Sequence, residues 1–266
     1  MQQPILVHAL MDTNLQQIID RLSKKYDSTI ALDYTNPWEL AVAVVLSAQC
    51  TDKRVNIVTQ TLFPYLADKK NVPSQGIIAL KSMRTVTREK IQLATTAYMK
   101  IDTLEKHIYT TGFYRAKAHN IQETAKLLIT KYACKIPNTM SELLKCPGIA
   151  RKTANVLLSE LYNKSEGIIV DTHVKRIVQR LKIVPADKIG GTIKAIYRSK
   201  SAEHIDYFKN ASPEKIEKQL METVPKKYWK NFPHYIVKLG RDTCVAKKPH
   251  CSACVLYELC PSKRDI

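Results

Sequence analysis

The segment that is most informative about the fold is residues 144–155, which read LKCPGIARKTAN. Pro147-Gly148 is typical of a tight turn, so we predict that one helix ends near Lys145 and that another begins around Arg151. The backbone N–H groups of such a turn, next to a helix N-terminus, form a site for an anion. A DNA phosphate fits this site, which indicates contact with DNA without readout of the bases.

Lys152 lies in the first turn of the predicted second helix. An amine acts as a nucleophile only when it is unprotonated, and an ordinary lysine titrates at about 10.4. The positive end of a helix dipole favours the neutral amine. From this segment alone, Lys152 can be either a nucleophile or a solvated side chain that contacts phosphate.

A second polar segment, residues 170–174, reads VDTHV and opens a further predicted helix with Asp171 as its N-cap. If Asp171 lies close to Lys152, its carboxylate could accept a proton or stabilise positive charge on a sugar during glycosidic bond cleavage. A simple structural cap is the alternative. For His173 we expect packing or hydrogen bonding rather than catalysis.

Four of the seven cysteines form a fixed frame near the end of the sequence: Cys244-x6-Cys251-x2-Cys254-x5-Cys260. Four thiolates on one short loop can hold a cubane iron–sulfur cluster, which needs soft ligands at tetrahedral corners. Zinc also takes four cysteines, but usually as two close pairs separated by a longer spacer. Disulfides would need an oxidising compartment, which nothing in the sequence indicates. The gap between the first two cysteines is basic and includes Lys247 and Lys248.

The charge balance indicates a partner with regular negative charge. The 266 residues include 42 Lys and Arg against 24 Asp and Glu, a net charge of +18 that is spread along the chain. Nucleic acid is the usual partner for such a surface, and an anionic membrane surface is the alternative. The longest apolar block, residues 40–46, is too short to span a bilayer. Residues 1–4 do not begin a signal peptide, so we expect an intracellular protein.

Apolar residues recur at helical spacing, and the pattern predicts an all-α fold. The predicted helices include residues 15–22, 40–48, 154–161 and 174–181, and only residues 168–170 resemble a strand. Seven glycines in 266 residues is few for a protein of sheets and turns. Two mixed polar segments, residues 82–109 and 185–210, are expected to form loops or inserted helices.

The hairpin with its lysine, the VDTH segment and the four-cysteine frame occur in this order in the endonuclease III family, and the chain resembles that family over residues 30–262. These proteins are bifunctional DNA glycosylases of the helix-hairpin-helix superfamily. Two further segments resemble family signatures, LSAQCTD at residues 46–52 and GFYRAKA at residues 112–118. The resemblance implies two all-α domains with a DNA cleft between them. One is a six-helix domain, residues 30–164, and the other is discontinuous, residues 1–29 and 165–266, and carries the cluster loop.

The resemblance also implies roles for individual residues. Lys152 attacks the sugar C1′ of a damaged nucleotide, a Schiff base forms, and β-elimination nicks the strand 3′ to the lesion, while Asp171 assists base release. Gln49 fills the gap that the flipped base leaves in the duplex, and Phe113 is the apolar wedge. Without the resemblance, we would interpret Gln49 as a polar residue at a helix end and Phe113 as a core aromatic.

The implied cofactor is a [4Fe–4S] cluster on the four cysteines, which takes no part in catalysis but fixes the loop so that Lys247 and Lys248 meet phosphates. Hairpin contacts to DNA are expected from Gly148, Ala150 and Arg151. Ala150 departs from the family pattern, in which a second glycine is common. If that position needs a positive φ, alanine costs about 1 kcal/mol or more.

The implied partner is double-stranded DNA that contains damaged bases, in this family oxidised pyrimidines, or abasic sites. We expect a monomer that acts in the cytoplasm or nucleoid without membrane contact. One alternative is an adenine mismatch DNA glycosylase, which typically lacks the lysine and adds a C-terminal recognition domain. Here Lys152 is present and only six residues follow Cys260. The other alternative, a non-catalytic redox-sensing DNA-binding module, gives no role to Lys152 together with Asp171.

Overall fold

A computed structural model describes the backbone of residues 3–198 and 203–264, and the side chains of residues 14–197 and 203–264. The chain divides into two compact units. We call residues 31–164 the continuous unit, and residues 1–30 with 165–266 the discontinuous unit. The α-helices of the described residues are α1 (Gln3–Lys25), α2 (Pro37–Leu46), α3 (Asp52–Ala67), α4 (Ser74–Lys81), α5 (Arg88–Tyr98), α6 (Ile101–Ile108), α7 (Tyr114–Lys131), α8 (Met140–Leu143), α9 (Arg151–Tyr162), α10 (Thr172–Arg180), α11 (Pro213–Thr223) and α12 (Asn231–Asp242).

The continuous unit is built around helix α2, in which every residue after Pro37 is buried. Asn36 caps the helix by accepting from the backbone N–H of Glu39, and Pro37 occupies the first helical position, as the Asn-Pro pair favours. Helices α3, α5, α7 and α9 pack against it. The buried carboxylate of Glu39 accepts from the side chain of Gln92 on α5 and from the backbone N–H of Thr35, so its oxygen atoms have hydrogen-bond partners.

The discontinuous unit has its own apolar core, to which α1, α10, α11 and α12 contribute. The stripes predicted for residues 15–22 and 174–181 are both buried in this core. The prediction of a helical fold is therefore confirmed. Among the helices of the described residues, none is long and apolar enough to cross a membrane.

A β-hairpin in the discontinuous unit differs from the sequence prediction. Strands β1 (Lys194–Arg198) and β2 (Glu203–Phe208) pair antiparallel, with Ile196 opposite Ile205. The expectation of a loop or helix at residues 185–210 was wrong, since β-branched and aromatic residues such as Ile196, Tyr197, Ile205 and Tyr207 suit a half-exposed strand. Residues 168–170, which resemble a strand, form none: they have no partner strand among the described residues.

Candidate active site and cysteine loop

The turn between α8 and α9 forms as the sequence predicts, because Gly148 takes a left-handed φ of 76°. A Cβ at this position would also lie 2.9 Å from Cβ of Asn120 on α7, so the backbone conformation and the close approach both select glycine. Thr124 of α7 donates a 2.9 Å hydrogen bond to the carbonyl of Pro147. The hairpin is thereby fixed to the side of α7.

Helix α9 begins at Arg151, with Ala150 as its N-cap. Ala150 has φ −86° and ψ 171°, so this position does not need glycine and the penalty considered for alanine does not arise. Alanine also supplies no side chain that could cap the helix. Lys152 is exposed in this turn, and it makes no hydrogen bond or ion pair within the part of the chain that the structure describes.

Asp171 is the N-cap of α10, as predicted. Its Oδ1 accepts from the backbone N–H groups of His173 and Val174, both at 2.8 Å. The second carboxylate oxygen, Oδ2, has no hydrogen-bond partner among the described residues. The cap thus fixes the carboxylate in place while one oxygen stays available for chemistry.

A buried arginine connects helix α10 to the start of the cysteine loop. Arg176 donates to the carbonyl oxygens of Gly240 at 3.2 Å and Cys244 at 3.0 Å, and it lies 3.3 Å from Nδ1 of His173. Burial lowers the pKa of His173, which keeps the imidazole neutral beside this arginine. His173 therefore packs and bonds within the unit, in agreement with the expectation from sequence.

Gln49 and Phe113 share an unusual backbone conformation. Their φ angles are 54° and 59°, in the left-handed region that side chains other than glycine rarely adopt. Phe113 is 70% exposed, so it is not a core aromatic, and Gln49 is exposed as well. A Cβ on Gly112 would lie 3.6 Å from the carbonyl oxygen of Gln49, which places the two turns side by side. Such strain at exposed residues is typical of functional positions.

All four cysteines of the C-terminal frame line one cavity of about 350 Å³, including the space open to solvent. None of them is in a disulfide. Within the described residues, no three His, Cys, Asp or Glu side chains converge closely enough to hold a single metal ion. Four soft ligands around one shared space fit a cubane cluster. Burial raises the pKa of Cys254 and raises that of Cys260 to about 11, so these thiols lose a proton when they bind iron.

Two comparisons with family models identify the chain. Residues 42–200 match the HhH-GPD superfamily of base excision DNA repair proteins, and residues 244–260 match the iron–sulfur binding domain of endonuclease III. The chain belongs to the endonuclease III family. As a member of it, the protein is a base excision repair enzyme that acts on DNA. It is a DNA glycosylase and abasic-site lyase with a [4Fe–4S] cluster as its cofactor.

Relatives and solved structures agree with this assignment over nearly the whole length. The chain is 36% identical to endonuclease III of Synechocystis sp. over 92% of this chain and 91% of that one. It is 35% identical to the Bacillus subtilis enzyme, over 95% and 96%. A structure of endonuclease III trapped as a covalent intermediate with DNA superposes with a TM-score of 0.70 at 32% identity, covering 95% of this chain and 96% of that one. A thermostable thymine-DNA glycosylase, 14% identical with a TM-score of 0.64 over 96% of each chain, shows the same fold.

Several side chains that shape the site had no signal in the sequence. Lys117 lies inside the GFYRAKA signature, but nothing local shows that its ammonium group is buried. Arg176 and Arg180 follow Asp171 on α10 and read as ordinary charged positions of an exposed helix. The one available signal was the spacing of the apolar residues of α10, which places both arginines beside the buried face of the helix.

Proposed function

We propose that Lys152 is the nucleophile of this protein. Its place supports the assignment: an exposed amine on the first turn of α9, beside backbone amides that can hold a phosphate. The amine would attack C1′ as the bond to the base breaks and the electron pair leaves with the base. The attacking nitrogen then loses a proton and the C1′–O4′ bond of the sugar ring opens, which gives the Schiff base. Removal of a C2′ proton then expels the 3′ oxygen and nicks the strand.

Asp171 would assist the release of the base. Its cap hydrogen bonds use Oδ1, and Oδ2 is the atom that would stabilise positive charge on the sugar or accept a proton. The cap makes the carboxylate rigid, which is the condition for electrostatic assistance without reorganisation.

The hairpin and two exposed turns would hold the DNA. The backbone at Gly148 and Ala150 and the side chain of Arg151 would contact phosphate, since the turn offers amides and no capping side chain. Gln49 would enter the gap left by the flipped nucleotide, and Phe113 would wedge the adjacent base step. Their exposure and left-handed backbone support these roles, which fit an enzyme that must extrude a base before it can reach C1′.

The four cysteines would be the cluster ligands, and the loop that follows Cys244 would be a phosphate contact through Lys247 and Lys248, both exposed. When bound, the cluster would supply a rigid centre for this loop. The domain assignment from sequence stays a proposal, in which the continuous unit carries the hairpin and the discontinuous unit carries the cluster. We propose oxidised pyrimidines and abasic sites in duplex DNA as substrates of a monomer. A repair enzyme of this family is intracellular, and we place it at the nucleoid.

Borohydride trapping on duplexes that carry different damaged bases tests the assignment. Lys152→Ala should abolish both the trapped complex and strand nicking while duplex binding remains. Lys145→Ala is the matched control, because it removes the same charge from the same hairpin and only breaks an ion pair with Glu142. Nicking by the Lys152 variant at the rate of the control would exclude Lys152 as the nucleophile.

A further inference from the structure

A single buried carboxylate connects the β-hairpin to the cysteine loop. Asp206 on β2 accepts from Nε of Arg180 at 2.9 Å and from its Nη2 at 2.6 Å. The two side chains are 4% and 3% exposed. A bidentate, charge-assisted pair that is excluded from water has a fixed geometry, and neither partner can be removed without leaving a buried charge.

Arg180 uses its remaining donors on the start of the cysteine loop. It donates to the carbonyl oxygens of Val245 and Ala246 at 2.9 and 2.8 Å. It also donates to Sγ of Cys244 at 3.2 Å. The guanidinium therefore holds the first cysteine of the frame and the two residues that follow it.

Arg264 extends this arrangement to the next residue of the loop. Its Nη2 lies 3.0 Å from Oδ2 of Asp206, and its Nη1 donates to the carbonyl oxygen of Lys247 at 3.1 Å. The guanidinium also lies 4.1 Å from the ring centroid of Tyr197 on β1, a cation–π contact with the same hairpin. Through two arginines, one carboxylate of the hairpin thus reaches a thiol and three consecutive carbonyl groups.

Asp206, strand β2 and Arg264 lie outside the family matches, although Arg180 and the start of the cysteine loop lie within them. Those matches cover residues 42–200 and 244–260, whereas Asp206 and strand β2 fall between them and Arg264 follows them. The hairpin is also fixed on its other side, since Phe208 exchanges hydrogen bonds with the side-chain amide of Gln179 on α10. It is therefore a rigid attachment point for the loop.

We propose that the β-hairpin braces the cysteine loop and that Asp206 is its positioning residue. Through Arg180 and Arg264, Asp206 fixes Cys244 for cluster binding and Lys247 with Lys248 for phosphate contact. The proposal depends on the proposed function for the assignment of Cys244 and of the lysine pair. It predicts that one carboxylate outside the DNA-contact set controls both cluster retention and the salt dependence of DNA binding.

Cluster retention in the full-length, cluster-loaded enzyme tests the first arm. Asp206→Asn keeps the shape of the side chain and removes its charge, and Asp187→Asn makes the same change at an exposed position of the same segment. We expect the visible absorbance of the cluster to bleach in air about tenfold faster in the Asp206 variant than in the control. Equal rates in the two variants would overturn the brace.

The salt dependence of binding to an abasic-site duplex tests the second arm. Loss of two phosphate contacts reduces the magnitude of the negative slope of log K against log salt by roughly 2. This is the change expected for a variant that carries both Lys247→Ala and Lys248→Ala. Asp206→Asn should give a slope close to that of the double variant, because the two lysines are no longer positioned. The substitution itself removes a negative charge and no phosphate contact. A slope equal to that of Asp187→Asn would contradict the positioning role.

Two further variants keep the outcomes distinct. Arg264→Gln removes the contacts of Arg264 with Lys247, Asp206 and Tyr197 but leaves the bonds from Arg180 to Cys244 in place. The salt slope should therefore decrease in magnitude while the cluster is retained, and this variant serves if the Asp206 variant does not fold. Cys244→Ser should lose the cluster. If it keeps the cluster, the proposed ligand set fails. If it loses the cluster while Asp206→Asn bleaches like the control, the ligand set stands and the brace fails.

Discussion

The buried ammonium group of Lys117 lies 2.7 Å from the carbonyl oxygen of Ala48 and donates a hydrogen bond to it. A second bond of 2.8 Å runs to the carbonyl oxygen of Leu46, the last residue of α2. A cation at this end satisfies carbonyl groups that the helix leaves unpaired and complements the helix dipole. Because Lys117 is one turn beyond Phe113 on α7, it ties the turn at Gln49 to the turn at Phe113.

We expect Lys117→Met to destabilise the protein by about 2–3 kcal/mol, because the two carbonyl groups lose a charged donor in a buried setting. Urea denaturation measures this change in the free energy of unfolding. Lys126→Met is the control on the same helix, since it breaks only a surface pair with Glu123 and should cost at most about 1 kcal/mol. Equal costs for the two variants would show that the bonds from Lys117 to α2 add nothing to stability.

Asp171→Asn should separate the cap from the chemistry. Asparagine caps a helix as well as aspartate does, so stability should stay nearly unchanged, whereas Asp171→Ala should cost about 1 kcal/mol. Base release should slow by about 100-fold or more in the Asn variant, since the second carboxylate oxygen is lost. Single-turnover assays on a damaged base and on a pre-formed abasic site measure the two steps. An equal loss in both would indicate a structural role for Asp171.

The turn between α8 and α9 should respond differently to substitution at two nearby positions, Gly148 and Ala150. Gly148→Ala places a Cβ against Asn120 in a left-handed backbone conformation and should cost about 1–2 kcal/mol, with weaker binding to duplex DNA. Ala150→Gly should bring no gain in stability, because the φ of −86° at this position is ordinary. Calorimetric melting and a binding titration of both variants check the pair. A stabilised Ala150 variant would contradict the observed backbone angle.

The stability of the protein should fall at mildly acidic pH. Burial lowers the pKa of His173 and of His107 below the ordinary value of 6.5. The unfolded chain therefore binds protons at these positions at a higher pH than the folded chain does. The contribution of these histidines to the free energy of unfolding should be fully present above about pH 6.5. It should decline as the pH drops, by at most about 1.4 kcal/mol per pH unit for each histidine.

Chemical denaturation at several pH values between about 8 and 5 measures this decline. His173→Gln and His107→Gln should each reduce the slope, since each removes one group that must take up a proton on unfolding. A slope unchanged in both variants would show that neither histidine is responsible.

Local features were predictable from sequence because neighbouring residues determine them. The turn at Gly148 depends on a left-handed backbone that glycine adopts at little cost, and the start of α10 depends on the Asp171 cap. The cysteine frame is equally local, since spacing alone brings Cys251 and Cys254 to one side of a short turn. For Phe113 the residue type alone indicated a core aromatic and only the family resemblance implied an exposed wedge, whereas the structure shows the side chain to be exposed.

The β-hairpin was not predicted, because two short strands with only a few β-branched and aromatic residues each carry a weak strand signal. Its contacts are also nonlocal. Asp206 pairs with an arginine 26 residues earlier, and Lys117 bonds to a carbonyl group 69 residues earlier.

The sequence by itself determined the helical class, the turn at Gly148, the Asp171 cap and the cysteine frame, since each follows from a few adjacent residues. Only the tertiary structure decided which charged side chains are buried and what they hold, as with Lys117 at the end of α2 and Asp206 between two arginines. The physical reason is that a buried charge is stable only with a partner, and that partner is brought near by folding and not by proximity in the chain.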